Sequence, residues 1–140
     1  MPTARALDAY PLRSHDKLRY GDTDRQGHIN NAVFSTLLET GRVELLYDAT
    51  RPLREPGKEF VLARLAIDLI SEITWPGTID GGTGVLKIGR SSITLEQALF
   101  QRDRCVARAE SVIVLTDAST RRSTPLPQPA LDHLSTLLLT

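Results

Sequence analysis

The sequence predicts an α+β domain in which an antiparallel sheet of about five strands wraps around one long helix. Three observations carry this reading. An apolar stripe recurs at helical spacing from Asn31 to about Asp48, the period switches to two over Val61–Thr74, and three further strand-like runs follow between short turns. The 140 residues are read as a single domain, 1–140, with a leader at 1–15 and a polar tail and short terminal helix at 117–140. A chain of this size takes roughly two-thirds of its unfolded surface out of water, enough for a core without disulfides or metals.

The elements are justified in order. Residues 1–15 hold Pro2 and Pro11 and no periodicity, so they are expected on the surface without need of order. Asp16–Tyr20 is a short strand candidate that runs into Gly21–His28, a stretch dense in turn formers and polar side chains. In the helix, Phe34, Leu37, Leu38, Leu45 and Leu46 share a stripe with Gly41. Asn30 or Asn31 can cap its first turn, and Pro52 stops the segment beyond its end. A mid-helix glycine costs about 1 kcal/mol relative to alanine, so Gly41 is expected at a close approach to another backbone.

Val61, Ala63, Leu65, Ile67, Leu69 and Ile73 are expected on the buried face of a long strand, with Arg64, Asp68 and Glu72 opposite. Pro76-Gly77 ends it. Strands follow over Thr78–Ile88, where Gly81, Gly82 and Gly84 suggest a bulge or bend, over Ser92–Gln101, and over Cys105–Thr116. These four strands can pair as sequential antiparallel neighbours. Past the proline-punctuated tail, Leu131, Leu134, Leu137 and Leu138 suggest the terminal helix.

Composition removes several function classes. Lys+Arg and Asp+Glu balance at 17 each, which argues against a phosphate-backbone partner, and scarce aromatics weaken base stacking. No run approaches the roughly 20 apolar residues that span a bilayer. A lone Cys105 allows no intrachain disulfide and Met1–Lys17 holds no apolar signal run, so the cytoplasm is the expected compartment. His15, His28 and His133 lack partners at metal-ligand spacing, Gly81–Gly84 lacks the pattern of a phosphate loop, and no Gly-x-Ser-x-Gly elbow occurs. No metal and no organic cofactor is expected. Cys105 opens a strand, where a packed thiol is the ordinary reading.

What remains is Asp22–Asn31, which gathers carboxylates, an imidazole and amides just before an apolar helix. Read structurally, Asp and Asn favour the loop, Gly27 supplies positive φ and an Asn caps the helix. Read chemically, the unpaired N–H groups and dipole at a helix N-terminus can hold negative charge developing on an oxygen. A carboxylate beside that position makes acyl-transfer hydrolysis feasible.

The run Arg19-Tyr20-Gly21-Asp22-Thr23-Asp24-Arg25-Gln26-Gly27-His28-Ile29-Asn30-Asn31-Ala32-Val33-Phe34, continuing to Glu39 and Arg42, resembles the signature of hotdog-fold acyl-CoA thioesterases of the 4-hydroxybenzoyl-CoA thioesterase-like branch. The likeness extends through the Ile88–Ser92 turn, Ala107 and Ala109, and Pro125-Leu126-Pro127, nearly the whole chain. It implies hydrolysis of an acyl-CoA to a free acid and CoA in a homodimer or a dimer-of-dimers tetramer, with active sites where subunits meet. It implies Asp24 as nucleophile or general base, the Asn31 backbone N–H as the group polarising the thioester carbonyl, and Gly27 as the point of close backbone approach. His28 would line the site and orient water, or serve as a structural hydrogen-bonding partner. Asp22 is the rival carboxylate, with like-charge repulsion raising one pKa of the pair. Glu39 and Arg42 are one turn apart and can pair. Arg90 would contact the nucleotide end of CoA, with Ser91 and Ser92 donating to phosphate or pantetheine, and Arg102, Arg104 or Arg121 assisting. Two alternatives stand beside this: hydrolysis of an acyl carrier protein thioester, and a non-catalytic acyl-CoA-binding module.

Overall fold

The computed structural model describes residues 5–140. Five strands, β1 (Leu12–Lys17), β2 (Lys58–Leu69), β3 (Thr78–Ile88), β4 (Ser92–Gln101) and β5 (Arg104–Asp117), form one antiparallel sheet in the order β1-β3-β4-β5-β2. Two helices accompany it, α1 (Asn31–Leu46) and α2 (Gln128–Ser135). The α1 stripe buries Phe34, Leu37, Leu38, Leu45 and Leu46, and the helix rests on β1, β3 and β4.

β3 and β4 have the limits that the sequence predicts, and β5 is one residue longer at each end. The leader is corrected. Its residues 1–4 lie outside the described chain, but Leu7–Ala9 form a 3-10 turn, Tyr10 is buried, and β1 begins at Leu12, earlier than the expected Asp16. β1 is an edge strand held by backbone pairing with β3, so it needs few apolar side chains and leaves little hydrophobic pattern to read. It ends at Lys17, after which Tyr20–Asp22 turn as a 3-10 helix.

The sequential pairing is also corrected. Among the described residues β2 pairs only with β5 and occupies the far edge, so the β2–β3 connection crosses the sheet. A bulge between Leu62 and Arg64 reverses the expected face on the Leu62 side, while Leu65 and Ile67 keep the face expected of them. Phe60, Leu65 and Ile67 turn inward, whereas Val61, Leu62 and Leu69 are exposed. Ile73, expected on this strand, lies beyond its end and is fully buried.

The β3 glycines serve close packing. A Cβ on Gly82 would meet the Tyr10 ring, and one on Gly84 would meet Leu139. The bulge in β3 falls between Val85 and Lys87 instead. Beyond the reach of β1, the open side of β3 is covered by the C-terminal segment, with Val85 and Leu139 N–H groups bonding Leu137 and Val85 carbonyls.

Gly41 makes a close approach, but to side chains rather than to the backbone that the sequence reading expects. A Cβ there would lie 2.8 Å from both Gln97 Nε2 and Thr83 Oγ1. The Gln97 amide donates to the Leu38 carbonyl (2.9 Å) and Thr83 Oγ1 (3.1 Å), tying α1 to β4 and β3. Arg42 turns into this network, with Nη1 donating to Gln97 Oε1 at 3.4 Å, and forms no ion pair with Glu39 among the described residues. Burial lowers the Arg42 pKa from its ordinary value.

Candidate active site

The loop before α1 is held at both ends by core side chains. Leu18, Ile29, Phe34 and Ile73 belong to one buried apolar cluster, and full burial of a side chain such as Ile29 or Phe34 contributes about 1.5–3 kcal/mol. Backbone pairing fixes the register: the Ile29 N–H donates to the Ile73 carbonyl at 3.0 Å, and His28 pairs with Thr74 in an isolated bridge. The loop is thereby fastened to the segment that follows β2.

Within it, Asp24 forms a tight turn. Its N–H bonds the His28 carbonyl (2.7 Å), and its Oδ1 accepts the N–H groups of Gln26 (2.8 Å) and His28 (3.2 Å). Oδ2 accepts no hydrogen bond among the described residues. Gly27, at φ +82°, occupies the left-handed region that closes the turn. Asn30 is the N-cap, its Oδ1 accepting the Ala32 N–H at 3.0 Å, while the Val33 N–H bonds the Asn30 carbonyl at 2.9 Å. The Asn31 N–H, first in the helix, has no acceptor among the described residues. It is an available donor at the positive end of α1.

Asp24, His28 and Asn31 line one cavity of about 340 Å³, together with Phe34 and the post-β2 residues Leu69, Ile70, Ser71 and Glu72. The cavity therefore places a carboxylate beside an open helix N-terminus, with an imidazole nearby and an apolar wall. Glu72 is the member that the sequence reading assigned merely to a strand's polar face. Its Oε2 lies 3.2 Å from His28 Nε2. No local motif announces it, because it reaches the cavity through pairing between segments more than forty residues apart in sequence.

Asp22 does not compete for this role. The buried carboxylate accepts the Arg19 N–H at 2.9 Å and the Arg19 guanidinium at 2.9 Å, closing the 3-10 turn. The guanidinium hydrogen bond holds its carboxyl below the usual range, so Asp22 is not the member of the pair that repulsion raises.

Arg90, Ser91 and Ser92 are not brought to the cavity. They lie at the β3–β4 hairpin, at the other end of the sheet, about 30 Å away along the ten residues of β4. Arg121 follows β5 at that same far end, its N–H bonding the Asp117 carbonyl. Arg102 and Arg104 lie at the near end, and Arg104 Nη2 donates to the Glu72 carbonyl at 3.4 Å.

A five-stranded antiparallel sheet packed with helices, carrying a carboxylate beside an open helix N-terminus, defines an α+β domain suited to acyl-group chemistry. Comparison with known proteins gives the family. The family model of the thioesterase-like superfamily matches residues 18–134, and the chain belongs to that superfamily. Its architecture is the hotdog fold that the sequence resemblance implied. Among solved structures, a Pseudomonas aeruginosa protein superposes with TM-score 0.86 at 22% identity, covering 96% of both chains. A predicted thioesterase from Bacillus stearothermophilus gives 0.81 at 24% identity, over 92% of this chain and 97% of its own. A thioesterase from Thermus thermophilus, solved with coenzyme A and zinc, gives 0.80 at 27% identity, over 93% and 96%. A search of curated proteins finds no match. Among the described residues no helix is long and apolar enough to cross a membrane.

Proposed function

We propose that this chain hydrolyses an acyl-CoA thioester to a free carboxylic acid and CoA. The observation that carries the proposal is that Asp24 and Asn31 line one cavity, with the Asn31 N–H free of any acceptor among the described residues. The thioester oxygen accepts the Asn31 N–H, and the positive end of α1 stabilises the charge that develops there as the carbonyl carbon becomes tetrahedral. Asp24, anchored through Oδ1, presents Oδ2. By one route Oδ2 attacks the carbonyl carbon, CoA leaves as its thiolate, and water cleaves the resulting anhydride. By the other, Oδ2 takes the proton of a water that attacks the carbonyl carbon directly, and the C–S bond breaks to release CoA as its thiolate. Water oriented by His28 serves either route. Gly27 keeps the backbone clear of the thioester, and Phe34, Leu69 and Ile70 receive the acyl end.

The working unit in this proposal is a homodimer, or a tetramer of two such dimers, joined at β2. Val61, Leu62 and Leu69 are roughly half exposed on this sheet-edge strand, and a second copy would cover them. Antiparallel joining at β2 brings the far end of one sheet toward the near end of the other. By that geometry Arg90, Ser91 and Ser92 of a second copy reach the CoA, alongside Arg102 and Arg104 of the first. α1 then acts as the central helix that the sheet encloses. A lone cysteine suits a reducing cytoplasm.

The test is thiol release across short, long, branched and aryl acyl-CoAs, with matched acyl carrier protein thioesters. Turnover of at least one acyl-CoA above its carrier counterpart supports the proposal. Turnover of carrier thioesters alone, or retention of acyl-CoA with no hydrolysis, contradicts it.

A further inference from the structure

We infer that Glu72 is a positioning residue that fixes the tautomer and orientation of His28, leaving His28 Nδ1 as the acceptor that holds the hydrolytic water. The inference rests on the proposed hydrolysis for its purpose but on geometry for its substance. His28 pairs with Thr74, so Glu72, two residues earlier in the antiparallel partner, lies diagonally across from His28 with its side chain on the same face. Glu72 Oε2 is 3.2 Å from His28 Nε2, and both residues line the cavity that holds Asp24 and Asn31.

A carboxylate accepts but does not donate, so a neutral His28 in this contact carries its proton on Nε2 and an unshared pair on Nδ1. Among the described residues the other hydrogen bonds of His28 are made by its backbone, its N–H with Asp24 Oδ1 and its carbonyl with the Asp24 N–H, so without Glu72 no protein hydrogen bond selects a tautomer. Glu72 is itself placed by the Ile29–Ile73 backbone bond beside it and by Arg104 on its carbonyl. His28 then takes no proton from Asp24. It aims a water, whether that water attacks the thioester or an Asp24 anhydride.

The experiment uses the full chain, labelled with ¹⁵N in histidine, and His28→Ala to assign the signals. At about pH 8, above the ordinary imidazole range, the His28 nitrogen shifts should report one tautomer, protonated on Nε2. Glu72→Ala should shift them toward a mixture, and Glu72→Gln, which keeps an acceptor oxygen, should restore the single form. In thiol release, Glu72→Ala should lower kcat about tenfold with KM within about twofold, and combining it with His28→Ala should add nothing further. Unchanged nitrogen shifts in Glu72→Ala, or losses that multiply in the double variant, would overturn the inference. Should no thioester be hydrolysed, the proposed function fails, while the nitrogen shifts still decide whether Glu72 governs His28.

Discussion

The Gln26 N–H donates to Asp24 Oδ1 over 2.8 Å, so the loop grips one oxygen of the carboxylate and leaves the other for chemistry. Asparagine at 24 can keep the Oδ1 contacts while losing the charge, whereas alanine loses both. Asp24→Ala is therefore expected to cost about 1 kcal/mol of stability and Asp24→Asn about half of that or less, read from urea midpoints. Equal costs would mean that the turn does not depend on Oδ1.

Arg19 and Asp22 make a second, purely structural turn, and its pH dependence follows from the sign of the shift. The folded-state pKa of Asp22 is lowered, chiefly by the guanidinium hydrogen bond. The stabilisation is thus fully present above the unfolded value of about 3.9 and disappears as pH falls through the lower folded value. Melting temperatures followed from about pH 7 to about pH 2 should fall less steeply at the acid end in Asp22→Asn than in the parent protein. Thiol release at neutral pH should persist in whatever fraction of Asp22→Asn stays folded.

Gly41→Ala should destabilise the fold by about 1–3 kcal/mol, despite alanine's better helix propensity. The added Cβ would meet Gln97 Nε2 and Thr83 Oγ1, and Gln97 cannot yield without loosening its bond to the Leu38 carbonyl. A rise in the urea midpoint would contradict this reading of the α1 contact.

Light scattering should give a mass at least twice the 15.5 kDa chain. Leu62→Asp with Leu69→Lys should return it to one chain and lower thiol release, because both residues lie on the exposed edge strand and Leu69 also lines the cavity. A monomeric parent protein with full activity would remove the second copy from the account.

The sequence was most informative where burial imposes a period. The α1 stripe, β3, β4 and β5 were legible because their side chains must meet the core at fixed spacing. Only the end of β1, Asp16 and Lys17, was legible, because an edge strand is held by backbone bonds that carry no side-chain signal. The first part of β2 was misread because a single extra residue near Ala63 reverses parity there, and no residue type announces it, whereas Leu65 and Ile67 beyond it keep the expected face. At the site, Asp24, Gly27, His28 and Asn31 were legible together because they share one contiguous loop. Glu72 and the remoteness of Arg90 were not, since the first follows from pairing of the loop with the segment after β2 and the second from strand register along the sheet.

The most direct measurement of the central claim is the steady-state rate of thiol release by Asp24→Asn on the best acyl-CoA substrate, beside the parent protein and at matched stability. The carboxylate at 24 is expected to supply at least a 100-fold factor in kcat/KM, so the variant should fall by about that much or more. Undiminished thiol release from folded Asp24→Asn would contradict the assignment of Asp24 as the reacting group.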